Sequence, residues 1–456
     1  MDEASPSTGS RRADLSARVR RASSSDTGKA TGLAIAALVQ NVFGLLFTLV
    51  FTRVLGADQY GSLGVLVAGY FFVLSVPGQA MQVAAARQTT FGGLGEGPGL
   101  SATVTRWTRD LALVCLGLGV VASIFRVQLA ELMGVKESWA AAAVLPTGAL
   151  WLLLSIERGI LQGLRAYRLV AWSIILEAAG RLLTGLALVL PGLGVTGAFL
   201  GTPLSQLIMA AALFVLLRRR LGAPADDGRR HSLLALFGRH WTSLLALGLF
   251  ALLQTLDQLV VKHQVGGGRA GAYIAATVAA KAVVWVAIGV GLHLLPEATR
   301  LAVAGEDPRP ALRKALAIIV ALATPALLIF LLVPKLLLRT AFGHPEYVQA
   351  SGALAILGAA FAVLALTYLC VQYLLALGRV IFLPILGAVA LVELVLLLRV
   401  HTLVDFATTV LAVQSVAAVV VLVLSLRRMP GRVEVELPAF EPAPPPAANV
   451  EATLPR

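Results

Sequence analysis

The stretch TRVLGADQYGSLG at residues 52–64 returns in altered form about 210 residues later, as KHQVGGGRAGAYI at residues 262–274. Each copy follows the first long apolar run of its half of the chain and precedes the second. Two glycines of the first copy align with two of the second: Gly56 with Gly266, and Gly61 with Gly271. Duplicated halves are typical of membrane transporters, in which two repeats enclose a cavity and move against each other. The repeat therefore predicts two lobes of six helices each, with hinges at these glycines.

The composition is that of a protein with many membrane-spanning helices. The 456 residues are 58% hydrophobic and 13% charged, whereas an ordinary soluble domain carries about 25% charged residues. A spanning helix needs about 20 apolar residues, and backbone groups in lipid must bond within the helix. We therefore predict an all-α fold with about twelve transmembrane helices around a central cavity. The apolar runs are residues 31–52, 61–84, 110–126, 138–156, 167–190, 194–217, 240–261, 270–295, 311–333, 347–374, 378–398 and 405–426.

The positions of lysine and arginine predict the orientation. If both termini lie in the cytoplasm, 27 of the 37 basic residues fall on the cytoplasmic side and 8 on the outer side. This skew follows the positive-inside rule, and it accounts for the net charge of +13 without nucleic-acid binding. We expect a multi-pass protein of the cell membrane with both termini cytoplasmic and with no nucleic-acid partner.

Composition also divides the chain into two lobes, a linker and two tails. We expect the N-terminal lobe over residues 31–217 and the C-terminal lobe over residues 240–428. The basic segment 218–239 is expected to be a cytoplasmic linker, part of which forms a short interfacial helix. Residues 1–30 are polar and basic and residues 429–456 are rich in proline, so both tails are expected to be disordered in the cytoplasm.

Several kinds of chemistry find no support in the sequence. Cys115 and Cys370 lie in apolar runs and form no disulfide framework, and no His/Cys group has metal-ligand spacing. Gly266, Gly268 and Gly271 spell GxGxxG, but no strand precedes them, so we expect no dinucleotide site. The outer loops are too short for the external domain that membrane glycosyltransferases usually need. We therefore expect no cofactor, no metal and no enzymatic activity.

Charged residues inside the apolar runs are the first candidates for a site, because each costs about 2.5–3.5 kcal/mol at mid-bilayer. Glu177 and Arg181 are four residues apart in one run, so they share a helix face and can pair. Lys281 has no obvious partner in its own run and can meet an anionic substrate such as a diphosphate. A structural ion pair for the first two, and snorkelling or a helix–helix bond for Lys281, remain open alternatives.

Acidic residues in the apolar runs are candidates for ion coupling, because a buried acid can bind a proton or a cation. Asp257 lies near the outer end of the seventh run, and Lys262 follows it at the outer mouth. Glu393 holds about the place in the second half that Glu177 holds in the first. For Glu393, an ion pair with Arg399 near the outer interface is an equal alternative.

Two longer segments carry a family resemblance. Residues 51–68, FTRVLGADQYGSLGVLVA, match an R-x-L-G-x-x-x-Y-G signature, and residues 256–281, LDQLVVKHQVGGGRAGAYIAATVAAK, combine an Asp, G-x-Y and a Lys. In these the chain resembles the lipid-linked oligosaccharide and polysaccharide flippases of the multidrug/oligosaccharidyl-lipid/polysaccharide superfamily. The second copy departs from the first at Ala270, which stands where Tyr60 does. The matching positions are Arg53, Gly56, Tyr60, Gly61, Asp257, Gly271, Tyr273 and Lys281.

The resemblance implies a flippase that moves lipid-linked oligosaccharide or polysaccharide precursors across the cytoplasmic membrane by alternating access. The implied partners are the lipid-linked sugar, membrane lipid and polysaccharide-assembly proteins. A cation-coupled drug or metabolite exporter of the same superfamily, a major-facilitator carrier and a non-transporting membrane scaffold are the alternatives. The candidates for substrate binding in the cavity are Arg53, Glu177, Arg181, Asp257, Lys262 and Lys281. Those for ion coupling are Asp257, Glu177 and Glu393, and those for the gate or hinge are Gly56, Gly61, Gly266 and Gly271.

Overall fold

The computed structural model describes residues 8–71, 76–225, 231–239 and 241–427. Helices and their connecting turns make up these ranges, and no strand occurs in them. The predicted C-terminal tail, residues 429–456, lies outside the described residues. The first helix begins at Thr8, and the disorder predicted for residues 1–30 stays a prediction.

The N-terminal half and the linker contain eight of the described helices. They are α1 (Thr8–Tyr70), α2 (Val76–Thr90), α3 (Gly97–Ile124), α4 (Arg126–Met133), α5 (Ser138–Gly163), α6 (Tyr167–Leu188), α7 (Gly194–Leu221) and α8 (Leu233–Arg239). Helix α8 falls within the predicted linker, at the place of the expected interfacial helix. Helix α7 runs past residue 217 and carries three arginines, at residues 218–220, in its last turn.

The C-terminal half contains the other eight helices of the described chain. They are α9 (Trp241–Gln264), α10 (Gly267–Ala280), α11 (Ala282–Ala304), α12 (Arg309–Leu332), α13 (Pro334–Phe342), α14 (Ser351–Ala376), α15 (Phe382–Leu397) and α16 (Leu403–Leu426). A 3₁₀ turn, Pro345–Ala350, follows α13.

The predicted number of membrane crossings agrees with the helices. Nine segments of the described chain are long and apolar enough to cross a membrane. The segment Ile35–Tyr70 contains two crossings because α1 breaks at Gly56. The segment Tyr167–Leu221 contains two, α6 and α7, and Phe382–Leu397 is a shorter apolar helix. Together these give the twelve predicted crossings, so the all-α membrane fold is confirmed and the chain is a multi-pass membrane protein.

Each half packs as a bundle of its own. In the N-terminal half α5 packs against α2, α3 and α7, and α6 packs against α7; in the C-terminal half α14 packs against α11, α12 and α16. The halves meet mainly where α1 packs on α10 and α9. Glycines and alanines crowd this contact, and small residues let helices in a membrane approach closely.

We name the two ends of the bundle by their sequence. The turn end carries residues 52–61 and 262–271, and the basic end carries the three arginines at residues 218–220. The segments of both halves that face each other at the turn end, residues 52–61 against 262–271 and 340–347, form what we call the seam.

Candidate functional site

The two copies of the repeated stretch share one unusual backbone conformation. Gly56 has φ 74° and ψ 174°, and Gly266 has φ 69° and ψ 170°. This region of the φ/ψ map is essentially restricted to glycine. The copies therefore make the same sharp bend between two helices, even though Ala270 stands where Tyr60 does. What the repeat preserves is the absence of a side chain at the bend.

A second pair of glycines brings the backbones of the two halves into contact. A Cβ atom added to Gly61 would lie 3.0 Å from the backbone nitrogen of Gly271. A Cβ atom added to Gly271 would collide with the carbonyl oxygen of Ala57. Because these neighbours are backbone atoms, which cannot rotate away, any larger residue would force the halves apart at the turn end.

Charged side chains cross the seam beside these glycines. The Lys262 ammonium lies 2.6 Å from Asp58 Oδ1 and also donates to the Asp58 carbonyl oxygen at 2.9 Å. Arg53 Nη2 donates to the carbonyl oxygen of Thr340 at 3.0 Å. The structure thus places two of the cavity candidates, Lys262 and Arg53, at the seam, where they join the halves.

Three further side chains bond to backbone oxygens of the other half. They are Tyr347, whose hydroxyl donates to Thr52 O at 3.1 Å, His263, whose Nε2 lies 2.8 Å from Leu132 O, and His344, whose Nε2 lies 3.1 Å from Arg53 O. Each histidine nitrogen must carry the proton, because a carbonyl oxygen only accepts. Packed glycines, an ion pair and these bonds together hold the turn end closed.

A cavity of about 190 Å³ lies between the halves, and both halves contribute to its lining. Its charged lining residues are Arg181 from α6 and Lys281 from the junction of α10 and α11. The polar lining residues are Thr48, Gln254, Thr255 and Gln258, and the aromatic ones are Phe47, Tyr60, Phe71 and Trp285. Of the six predicted cavity residues, the structure brings Arg181 and Lys281 to this space and places the other four elsewhere.

Hydrogen-bond donors around this cavity lack acceptors. Nε of Arg181 is buried without a hydrogen-bond partner among the described residues, and so is Nε2 of Gln258. The Arg181 guanidinium lies 4.8 Å from the centre of the Phe47 ring, and the Lys281 ammonium lies 5.5 Å from that of Phe361. An unsatisfied buried donor costs about 1–3 kcal/mol, so this arrangement is suited to a ligand that supplies anionic oxygens.

Glu177 lies in the N-terminal half, away from that cavity, and its partner differs from the one expected. Its Oε2 lies 3.9 Å from Nη2 of Arg158, and both side chains are almost fully buried. Arg158 also donates to Ser173 Oγ at 3.0 Å and to Ser173 O at 2.8 Å. The expected pair with Arg181 does not form, because that side chain extends over Phe47 into the cavity.

The other two ion-coupling candidates both lie inside the C-terminal half. Asp257 Oδ2 accepts from the Tyr273 hydroxyl at 3.1 Å, and Glu393 Oε2 accepts from Gln414 Nε2 at 2.8 Å. The two carboxylates are nearly fully buried and interact with each other electrostatically. One oxygen of each has no hydrogen-bond partner among the described residues. Glu393 thus bonds to Gln414, where the sequence left an ion pair with Arg399 open.

None of these four buried groups lines the central cavity, although Lys281, which does line it, attracts Asp257. Within the described ranges no group of three or more His, Cys, Asp or Glu side chains can hold a metal ion.

Sequence reasoning missed three polar residues that contribute to these sites. Arg158 lies between the apolar runs 138–156 and 167–190, which predicted a loop position for it, but α5 continues to Gly163 and buries it. Gln258 and Gln414 were not among the predicted site residues, although each is a polar residue within an apolar run. The amide side chains could have been identified from the sequence, because a buried amide in a membrane helix needs a hydrogen-bond partner.

The sequence matches no protein-family model and no curated protein. The fold matches solved structures. An inward-facing multidrug resistance MATE family transporter of the MOP superfamily has a TM-score of 0.70 at 14% identity, over 86% of this chain and 97% of that one. The lipid II flippase MurJ in an inward closed conformation has a TM-score of 0.68 at 14% identity, over 87% of this chain and 88% of that one. A MOP superfamily transporter from Pyrococcus furiosus, described by the reverse polarity of its binding pocket, has a TM-score of 0.58 at 14% identity, over 87% and 94%. The chain therefore has the fold of the MOP superfamily transporters.

Proposed function

We propose that the protein is a flippase that moves a lipid-linked oligosaccharide or polysaccharide precursor across the cell membrane by alternating access. The observation that carries the proposal is the pair of cations, Arg181 from one half and Lys281 from the other, that line one cavity. An anionic headgroup such as a diphosphate would bridge them and would also satisfy the free donor of Gln258. The aromatic lining, including Trp285, offers apolar faces to the sugar rings.

The geometry of the seam supports a cycle of opening and closing. With the turn end closed, a headgroup enters the cavity from the basic end and draws the two cations together. Opening at the turn end then requires the Lys262–Asp58 ion pair to break and the Gly61–Gly271 contact to separate. The bends at Gly56 and Gly266 join the moving helices through a backbone conformation that is essentially restricted to glycine.

We propose that a cation couples to this cycle at the Asp257–Glu393 pair, with Glu177 as a further candidate in the other half. Two buried carboxylates that interact electrostatically are unfavourable when both are charged, and a bound proton or cation relieves this cost. The attraction between Asp257 and Lys281 connects this pair to the cavity, so that substrate on Lys281 alters the field at the carboxylates. Polysaccharide-assembly proteins would be the partners of such a flippase.

The alternative function is a cation-coupled exporter of drugs or metabolites. The acidic pair and the fold shared with a MATE family transporter favour it, and the cationic cavity argues against it, because a cavity for organic cations would be lined by acids. A non-transporting scaffold would bring no ligand to the buried donors of Arg181 and Gln258, and it gives no reason for their position in the cavity.

Transport by the purified full chain discriminates between these functions. In proteoliposomes that contain a fluorescent polyprenyl-diphosphate oligosaccharide, we expect the label to move between leaflets at least about tenfold faster than in protein-free vesicles. Loss of fluorescence to an impermeant quencher measures this movement, and Asp257→Asn should remove any acceleration by an ion gradient. Movement of ethidium but not of the labelled lipid would support the exporter function instead. Movement of neither would support the non-transporting scaffold.

We further propose that the basic end, with both termini, faces the cytoplasm. The charge skew supports this orientation. Arg269 and Lys136 are exposed at the turn end and Arg219 is exposed at the basic end. On a background without Cys115 and Cys370, single cysteines at the first two positions should react with an impermeant maleimide on intact cells, and a cysteine at Arg219 should react only after permeabilisation. The reverse pattern would place the turn end in the cytoplasm.

A further inference from the structure

A second cavity lies away from the central one. It has a volume of about 420 Å³ and is at the basic end, between α3 and residues 231–234 of the linker. Its polar lining includes Arg106 from α3 and His231 with Ser232 from the linker, and its apolar lining includes Leu111 and Leu234. The second cavity shares no lining residue with the central cavity or with the seam, and its role is independent of the proposed function.

The walls of this second cavity are fixed to the N-terminal half. Nε1 of Trp107, which is buried, donates to the carbonyl oxygen of His231 at 3.0 Å. Leu236 of α8 is buried in the apolar core shared by α2, α3, α5 and α7, and Leu233 and Phe237 pack against that core. The linker is therefore held on α3, and the cavity is a built feature of this half.

The polar part of the second cavity favours an anion. Asp110 is the acidic residue among the described residues of its lining, and it already accepts hydrogen bonds from Arg109, from Nε at 3.1 Å and from Nη2 at 2.9 Å. Among the described residues of the lining, no acid other than Asp110 is available to the charge of Arg106. Nε2 of His231 is buried and has no hydrogen-bond partner among the described residues. A cation and a free ring nitrogen together suit a phosphate oxygen.

The apolar part of the second cavity continues toward the membrane core. Along α3, Leu111 and Val114 follow Arg106 by five and eight residues, which places them about 8 and 12 Å deeper at 1.5 Å per residue. Val114 is 50% exposed and Leu234 is 81% exposed, so neither is covered by the rest of the described chain, and Val114 lies within a segment long and apolar enough to cross a membrane. Arg218 at the end of α7 donates to Thr105 Oγ1 at 2.9 Å, next to Arg106, which sets this level at the lipid headgroups. The cavity is polar at the surface and apolar below it.

We propose that this cavity binds an anionic membrane phospholipid. Its phosphodiester lies against Arg106 and His231, and its acyl chain runs along Leu111, Val114 and Leu234. Basic pockets between helices at the headgroup level are suited to anionic lipids, which add an acyl chain to the charge interaction. Because the linker that joins the two halves forms one wall, a bound lipid holds that linker on the N-terminal half.

Lipid retention by the full chain tests the proposal. We expect native mass spectrometry of the detergent-purified protein, given equal phosphatidylglycerol and phosphatidylcholine, to show a preference for phosphatidylglycerol. Removing one charge-assisted hydrogen bond costs about 1.5–3 kcal/mol, so Arg106→Gln should lower the retained phosphatidylglycerol about tenfold or more. The matched control is Arg219→Gln, which removes an exposed arginine of the same end that does not line the cavity, and which should retain the lipid as the unaltered chain does.

A second variant keeps the test independent of the charge change. Val114→Trp fills the apolar part from a position that faces lipid, and it should also lower retention while Arg106 is intact. Equal retention by Arg106→Gln and Arg219→Gln, or full retention by Val114→Trp, would overturn the proposal. Inorganic phosphate that displaces phosphatidylglycerol at equal concentration would also overturn it, since it would show a site for the free anion.

Discussion

A disulfide between cysteines at Ala57 and Gly268 should lock the turn end closed and stop transport, and a reductant should restore it. A Cβ atom added to Gly268 lies 3.5 Å from Cβ of Ala57, within the roughly 3.5–4.5 Å that a disulfide spans. The bond joins the two halves across the seam, which must separate for alternating access. Cys115 and Cys370 are removed first, so that only this pair can form. The measurement is transport in proteoliposomes with and without reductant, beside the cross-linked fraction by mass spectrometry.

The single variants Ala57→Cys and Gly268→Cys serve as matched controls, and both should transport in either redox state. Near Gly268 the new side chain meets Glu346 Oε2 at 3.1 Å, and this flexible carboxylate can move aside. Continued transport by a fully cross-linked protein would mean that the seam does not open, and alternating access through the turn end would be excluded.

The crossings and their order follow from the sequence, because the length of an apolar run decides whether a helix spans a bilayer. Helix ends are less predictable, since a helix continues past its apolar run when protein covers its polar residues. Helix α3 begins at Gly97, before the run at residues 110–126. Helix α5 continues to Gly163 because Arg158 finds Glu177 and Ser173 inside the bundle. Amino-acid composition alone cannot show which residues will contact each other inside the bundle.

The repeat was predictable for a different reason. Gly56 and Gly266 must be glycine because their backbone conformation excludes other residues. The two aligned glycines therefore indicate the same backbone bend in both copies. What holds the bends together was not visible. Lys262 and Asp58 are 204 residues apart, and pairing between distant residues leaves no periodic signal in one sequence.

From the sequence, the candidate site could be predicted only as a set of charged residues whose burial in lipid is energetically unfavourable. The expense of a charge in lipid singled out Arg181, Asp257, Lys281 and Glu393, but spacing along one helix could not say which space each side chain enters. Asp257 and Glu393 come together through α9 and α15, which pack on each other. Arg181 and Lys281 come to one cavity from opposite halves.

Neutralising either cavity cation should slow transport strongly while leaving the protein inserted. Each of Arg181 and Lys281 is expected to make a charge-assisted bond to the headgroup, worth about 1.5–3 kcal/mol, so Arg181→Met and Lys281→Met should each slow transport about 10- to 100-fold. If both cations hold one anion, the double variant should lose less than the sum of the two effects, because the single changes already break the bridge. The measurement is the rate of headgroup movement at equal protein level in the membrane.

Two controls separate charge from position. Lys281→Arg keeps a cation beside Asp257 and should retain part of the activity, whereas Lys281→Met leaves that carboxylate without its attracting charge. Lys314→Met removes an exposed lysine of α12 that does not line the cavity and should transport normally. Strict additivity of Arg181→Met and Lys281→Met would mean that the two cations act on different groups. Normal transport by both would remove them from the site, and the free donors of the cavity would then have to serve a neutral headgroup.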